Sequence, residues 1–204
     1  MNADRLYKKG LRLEYFTVGY NILEAIASII SGSIADSIAL IGFGLDSIIE
    51  SLSGLVLIWR LRQHEKISEA VEGKIEKRAI KFVAITFFIL GSYILFESIK
   101  KLVITEISEP SPSGITIATL SLIIMPILTW QKYKTGKQIN SQALVADAKE
   151  TLACAYLSVA LLLGLSANYL FGFWQADPIV GLIIVAFLFK EGREGWKESS
   201  EEKF

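Results

Sequence analysis

Asp46 and Glu50 sit four residues apart inside a long apolar run, and Glu150 and Cys154 repeat that spacing inside another. Residues four apart stack on one face of a helix, so each pair can aim two donors at one point. Two such pairs on facing helices would supply four donors, the number a tetrahedral divalent cation takes. Carboxylates with a thiolate suit zinc, cadmium, cobalt or ferrous iron, whereas carboxylates alone favour harder ions such as manganese. Glu24, in a third apolar run, and Asp147, three residues before Glu150, are further candidate ligands.

The apolar setting gives these residues their weight. A charged side chain at the centre of a membrane-spanning helix costs about 2.5–3.5 kcal/mol on insertion scales, so carboxylates there pair, bind ions or relay protons. Plainer roles compete. Glu24 could hydrogen-bond inside the bundle alongside Asn21. Cys154 alone would be a small core hydrophobe, raised only by its spacing. Asp147 could pair with Lys149 or belong to an entry vestibule. Glu14 and Glu97 lie near span ends within reach of water and are left out of the site. His64, among charged neighbours in a connection, reads as solvated.

The elements that must carry these residues are spanning helices. The chain has 204 residues, is 52% hydrophobic and has a mean hydropathy of +0.45, which an all-α polytopic membrane protein explains better than a soluble domain. The hydrocarbon core is about 30 Å thick and needs roughly 20 apolar residues per helix. Six segments qualify, approximately Leu11–Ser31, Asp36–Trp59, Ala79–Lys101, Ser113–Gln131, Gln142–Phe171 and Ala176–Lys190. The sixth is short and must borrow a turn from the amphipathic stretch 191–197. Asp177 before Pro178 predicts the N-cap of that helix. Charges in 63–81, with Ile67, Val71 and Ile75 at helical spacing, predict an extension of a flanking helix. The start shows no cleavable signal, so residues 1–204 are read as one transmembrane domain with no soluble domain after the sixth helix.

Eighteen of the 21 basic residues fall on one side if both termini share it, against Lys100 and Lys101 opposite and Lys149 within a span. The positive-inside rule then makes both termini cytoplasmic. Counting about 1.5 Å per residue puts Glu50 and Glu150 roughly 13 Å, and Glu24, Asp46 and Cys154 roughly 20 Å, from the cytoplasmic ends. Equal numbers of acids and bases give no sign of a nucleic-acid partner, and none is expected. One cysteine excludes an intramolecular disulfide, and one histidine excludes a multi-histidine centre. Without a Ser-His-Asp set or a phosphate loop, no enzyme activity and no tightly bound cofactor are expected.

The second and fifth spans also share a pattern. Gly32-Ser33-Ile34-Ala35-Asp36-Ser37-Ile38-Ala39-Leu40 aligns with Gly136-Lys137-Gln138-Ile139-Asn140-Ser141-Gln142-Ala143-Leu144, and at the same offset Asp46 aligns with Glu150 and Glu50 with Cys154. The two copies enter from opposite faces, as an inverted repeat of three plus three helices would, with a site at mid-depth and alternating access.

At these residues the chain resembles the cation diffusion facilitator family. Leu45-Asp46-Ser47-Ile48-Ile49-Glu50 is similar to the family stretch ending D-x-x-x-D, and Ala146-Asp147-Ala148-Lys149-Glu150-Thr151-Leu152-Ala153-Cys154 to A-D-x-x-H-x-x-x-D. Glu150 stands where zinc-selective members commonly have His, Cys154 where they have Asp, and Glu50 replaces Asp. The usual cytoplasmic metal-binding domain is not matched, as in a compact, divergent branch. The resemblance implies that Asp46, Glu50, Glu150 and Cys154 take the four transport positions. It further implies a homodimer in the lipid bilayer, in the cytoplasmic (inner) membrane if the source is prokaryotic. The activity implied is export of a divalent metal ion, zinc first, with manganese, iron, cobalt or cadmium as alternatives, in exchange for protons. Two other readings compete. One is a proton-coupled exporter of organic cations, with Glu24 central among Tyr15, Phe16 and Tyr20. The other is a non-transporting scaffold whose small residues (Ala25, Ser28, Gly32, Ser51, Gly54) contact a partner's helices.

Overall fold

The structure, a computed structural model, describes residues 3–63 and 69–200. His64 and Ile67 lie outside the described residues. Within them the chain forms α1 (Ala3–Ile34), α2 (Ile38–Gln63), α3 (Glu69–Ile104), α4 (Pro112–Gln138), α5 (Gln142–Phe171) and α6 (Ala176–Ser200), with no strand among the described residues. Five stretches are long and apolar enough to cross a membrane: Arg5–Ile34, Ile38–Arg62, Lys81–Ile104, Pro112–Gln138 and Ala143–Phe171. α6 has 25 residues, but its apolar run ends at Lys190 and the helix continues through the amphipathic stretch, as its short sequence run required. Large apolar side chains such as Leu23, Phe96, Trp130 and Leu163 face outward. A soluble bundle would not leave so much apolar surface bare. The chain is an integral, multi-pass, all-α membrane protein.

The helices pack most extensively as α1 with α2, α4 with α5, and α3 with α6. The start of α1 and the end of α6 come to one end of the bundle. There Gly10 lies beside Leu61, Thr135 and Leu144, and Lys81 lies over the Trp196 ring.

The repeated sequence pattern becomes a repeated turn. Asp36 (φ 49°) and Asn140 (φ 54°) both adopt the left-handed conformation that these two residue types tolerate. Each is followed by a serine that caps the next helix: Ser37 Oγ accepts from the Leu40 N–H at 3.1 Å, and Ser141 Oγ from the Leu144 N–H at 3.3 Å. The glycine opening each copy lets the turn fold tightly back. A Cβ on Gly32 would lie 2.9 Å from the Ile41 backbone nitrogen, and one on Gly136 3.1 Å from that of Val145. The two turns stand at opposite ends of the bundle, so the α1–α2 and α4–α5 units enter it inverted.

The end opposite the termini is tied shut by polar groups. Asp177 does not cap its own helix, as its place before Pro178 predicts. α6 already starts at Ala176, and the Asp177 carboxylate instead accepts from Ser37 Oγ and, at 3.0 Å, from the Ile38 N–H at the start of α2. The Ser108 hydroxyl lies 3.0 Å from the same carboxylate and 2.9 Å from the Asp36 carbonyl. Lys101, almost fully buried, donates to the Asp36 carbonyl and, at 2.6 Å, to its carboxylate. One cluster thus joins the α1–α2 turn, α3, the α3–α4 connection and α6.

Gly32→Ala is expected to lower stability by about 1–3 kcal/mol, the usual cost of overpacking. Gly19→Ala, where a Cβ meets nothing within 4 Å, should be neutral or stabilising. Thermal unfolding in detergent distinguishes the two, and equal melting temperatures would contradict the close turn.

Candidate cation site

α2 and α5 bring the expected carboxylates to one place. Asp46, Glu50 and Ser53 of α2, Glu150 of α5, Phe87 of α3, and Phe187 and Glu191 of α6 line a cavity of about 20 Å³. That is room for roughly one water-sized sphere. Asp46 is 4% exposed and Glu50 7%. Glu50 Oε1 accepts from Thr151 Oγ1 at 2.9 Å, while its Oε2 is buried without a partner. Glu150 Oε2 accepts from Ser53 Oγ at 3.0 Å. Among the described residues, the charged residues that line this cavity are all acidic: Asp46, Glu50, Glu150 and Glu191. Negative groups concentrated this way in a buried space are unfavourable unless a cation joins them. As placed, no three such groups among the described residues close on a single point as metal ligands. Holding an ion requires their carboxylates to draw closer together.

A second cavity, of about 680 Å³, adjoins the first and extends between α2, α3, α5 and α6 to Arg60, Lys149 and Glu194 near the terminal end. Asp147 and Lys149 both line it. The ion pair, however, is with Lys132 of α4, at 2.5 Å, rather than with Lys149.

Lys132 revises two expectations. Counted with the loop charges, it is instead fully buried inside the bundle. Glu14, expected to reach water, is also fully buried and lies 3.2 Å from the Lys132 ammonium. Lys132 also reaches Thr151 Oγ1 at 3.2 Å, so one hydroxyl connects the ion-pair set to Glu50.

The remaining candidates separate. Cys154 neighbours Glu50 but packs in the main apolar core with Phe43 and Leu161, and lines neither cavity. Glu24 is held inside the bundle, accepting from Tyr20 at 3.0 Å and from Ser47 at 2.9 Å. Asn21 takes no part: its amide is buried without a partner. Tyr15 and Phe16 are exposed, whereas Tyr20 is the aromatic residue that bonds Glu24. Of the small residues that a scaffold could use, Gly54 packs against Val18 and Gly32 against Ile41, inside the chain's own α1–α2 contact.

Glu191 was not singled out from the sequence, which ended the sixth span one residue earlier. The signal is its helical spacing from Ile184 and Leu188, both fully buried, which carries one buried face of α6 past Lys190.

Residues 15–202 match the model of the cation efflux transmembrane domain. The chain is 26% identical over 174 residues to an uncharacterized transporter of Methanocaldococcus jannaschii, covering 83% of this chain and 61% of the relative. It is 24% identical to the magnetosome protein MamB of Magnetospira sp. strain QH-2, covering 88% of this chain and 61% of the relative. With the manganese efflux system protein MneS of Bacillus subtilis it shares 24% identity, covering 89% of this chain and 63% of the relative. The chain therefore spans about three fifths of the length of these relatives.

Removing the ammonium from the buried ion-pair set isolates its role. Lys132→Met leaves two carboxylates uncompensated and is expected to cost about 3–5 kcal/mol. Combining it with Glu14→Leu and Asp147→Leu should recover most of the loss. Unfolding of the single and triple variants in detergent checks this, and an equally unstable triple variant would contradict it.

Proposed function

The chain belongs to the cation efflux family, and from that premise we propose that it carries a divalent transition-metal cation across the membrane through the small carboxylate-lined cavity. The observation that carries the reading is the contrast among buried charges. Lys132 forms ion pairs with Glu14 and Asp147, whereas the water-sized space shared by Asp46, Glu50 and Glu150 is lined by no Lys or Arg among the described residues. A doubly positive ion supplies what these groups lack. Asp46, Glu50 and Glu150 are the proposed ligands, with Cys154 able to join by rotation beside Glu50. Glu24 and Asp147 are assigned to structure. Zinc is the proposed cargo when the thiol joins. A carboxylate-only set favours manganese, the ion named for the Bacillus subtilis relative.

Alternating access is supported by the asymmetry of the bundle. The wide cavity reaches the terminal, basic end, while the Asp177 cluster closes the other. With the basic end cytoplasmic, this is an inward-facing arrangement for export. The chain is proposed to work as a homodimer, as the family resemblance implies, and to exchange protons, because carboxylates and thiols bind metal only when deprotonated. It is a carrier rather than a catalyst.

Uptake of zinc, manganese, ferrous iron, cobalt and cadmium into proteoliposomes tests the reading. Asp46→Ala and Glu150→Ala are each expected to reduce transport of the preferred ion by at least about tenfold, the loss of one strong charged contact. Wild-type rates in both variants would refute it. Apparent metal affinity should rise with pH, and a pH-independent affinity across the neutral range would remove proton exchange from the mechanism.

A further inference from the structure

We propose that Glu191 of α6 is an entry ligand, taking the divalent cation from the wide cavity and passing it to Asp46 and Glu50. This rests on the small cavity being where the cation binds. The two cavities share a neck formed by Ser53, Phe87, Glu150, Phe187 and Glu191, the residues that line both. Asp46 and Glu50 line only the inner one. A hydrated cation reaching this neck meets two aromatic rings, one hydroxyl and two carboxylates. The rings cannot replace the oxygen ligands of a dehydrating metal, so the carboxylates must.

Glu150 belongs to α5 and Glu191 to α6, and both line the neck. The side chain of Glu191 is 15% exposed, so it contacts both water and the interior. It lines the small cavity together with Asp46, Glu50 and Glu150, the proposed ligands. Its own cation is weakly held. Lys190 lies 3.7 Å from Oε1, but that ammonium is 64% exposed, and pairs of this kind contribute little. A divalent ion can displace it. The independent sign of a ligand is Glu50 Oε2, on a side chain more than nine-tenths buried, unpartnered, and lining the same inner cavity. Lys149 and Lys190 line the wide cavity and would repel an incoming cation. A carboxylate at the neck gives the ion a favourable step past them.

An entry ligand affects capture more than turnover, because the inner site is left intact. Zinc uptake by the full chain in proteoliposomes, with zinc binding in detergent measured by calorimetry, tests this. Glu191→Gln is expected to raise KM for zinc about tenfold while maximal rate and equilibrium affinity stay within about threefold. Glu191→Asp, which keeps the charge but shortens the reach, should raise KM about threefold. It carries the test if the glutamine variant does not fold. Asp46→Asn, in parallel, should lose both binding and transport. An unchanged KM in the Glu191 variants, with Asp46→Asn inactive, overturns the entry role and leaves the transport reading standing. A fall in maximal rate at constant KM overturns it equally. Full transport by Asp46→Asn would instead remove the site on which the proposal rests.

Discussion

Every charge that this bundle takes out of water must be compensated, because lipid offers neither hydrogen bonds nor counter-ions. That constraint sorts the buried ionisable groups by how each is satisfied. Lys132 stands between Glu14 and Asp147, and Lys101 is held by Asp36. Asp177 and Glu24 accept hydrogen bonds from hydroxyls, joined at Asp177 by a backbone N–H. The acids around the small cavity are instead crowded: Asp46, Glu50, Glu150 and Glu191 line one water-sized space with hydroxyl donors for two of them and no Lys or Arg among the described residues. Site and scaffold are thus separated by their partners, since neither residue type nor depth divides them.

The same constraint explains how the halves are built. A short turn between two spanning helices must satisfy its backbone groups in very few residues. Both copies use one solution: a glycine for close approach, a left-handed Asp or Asn, and a serine cap. Repeating that turn at opposite ends brings Asp46 and Glu150, on the helices that follow the two turns, to one cavity. Thr151 then links the two charged regions, since its hydroxyl lies within reach of both Lys132 and Glu50.

Much of this was legible in the sequence because membrane helices leave strong local signals. The bounds of α5 follow directly from its apolar run between Ser141 and Gly172. The repeat was visible as spacing, and the convergence of Asp46, Glu50 and Glu150 as carboxylates in apolar surroundings. What could not be read were relations between distant parts of the chain. Lys132 looks like a loop charge because the polar residues after it resemble a helix end, yet α4 continues to Gln138. Glu14 looks solvated because the polar residues before it resemble a helix start, yet α1 begins at Ala3. The choice of Asp177 to cap α2 rather than its own helix depends on α6 lying against α2, which no local pattern encodes. Glu191 was missed because the hydrophobic run stops one residue short of it, while the buried face does not.

The cluster around Asp177 also bears on insulation. Its carboxylate draws together groups from separate elements, and charge-assisted hydrogen bonds of this kind are worth about 1.5–3 kcal/mol each. Parting α6 from α2 breaks several at once, far more than thermal agitation supplies. In the carrier proposed here an empty protein would stay sealed on that side, and only the free energy of loading could loosen it. A gradient maintained by the surrounding membrane would then not drain through idle molecules.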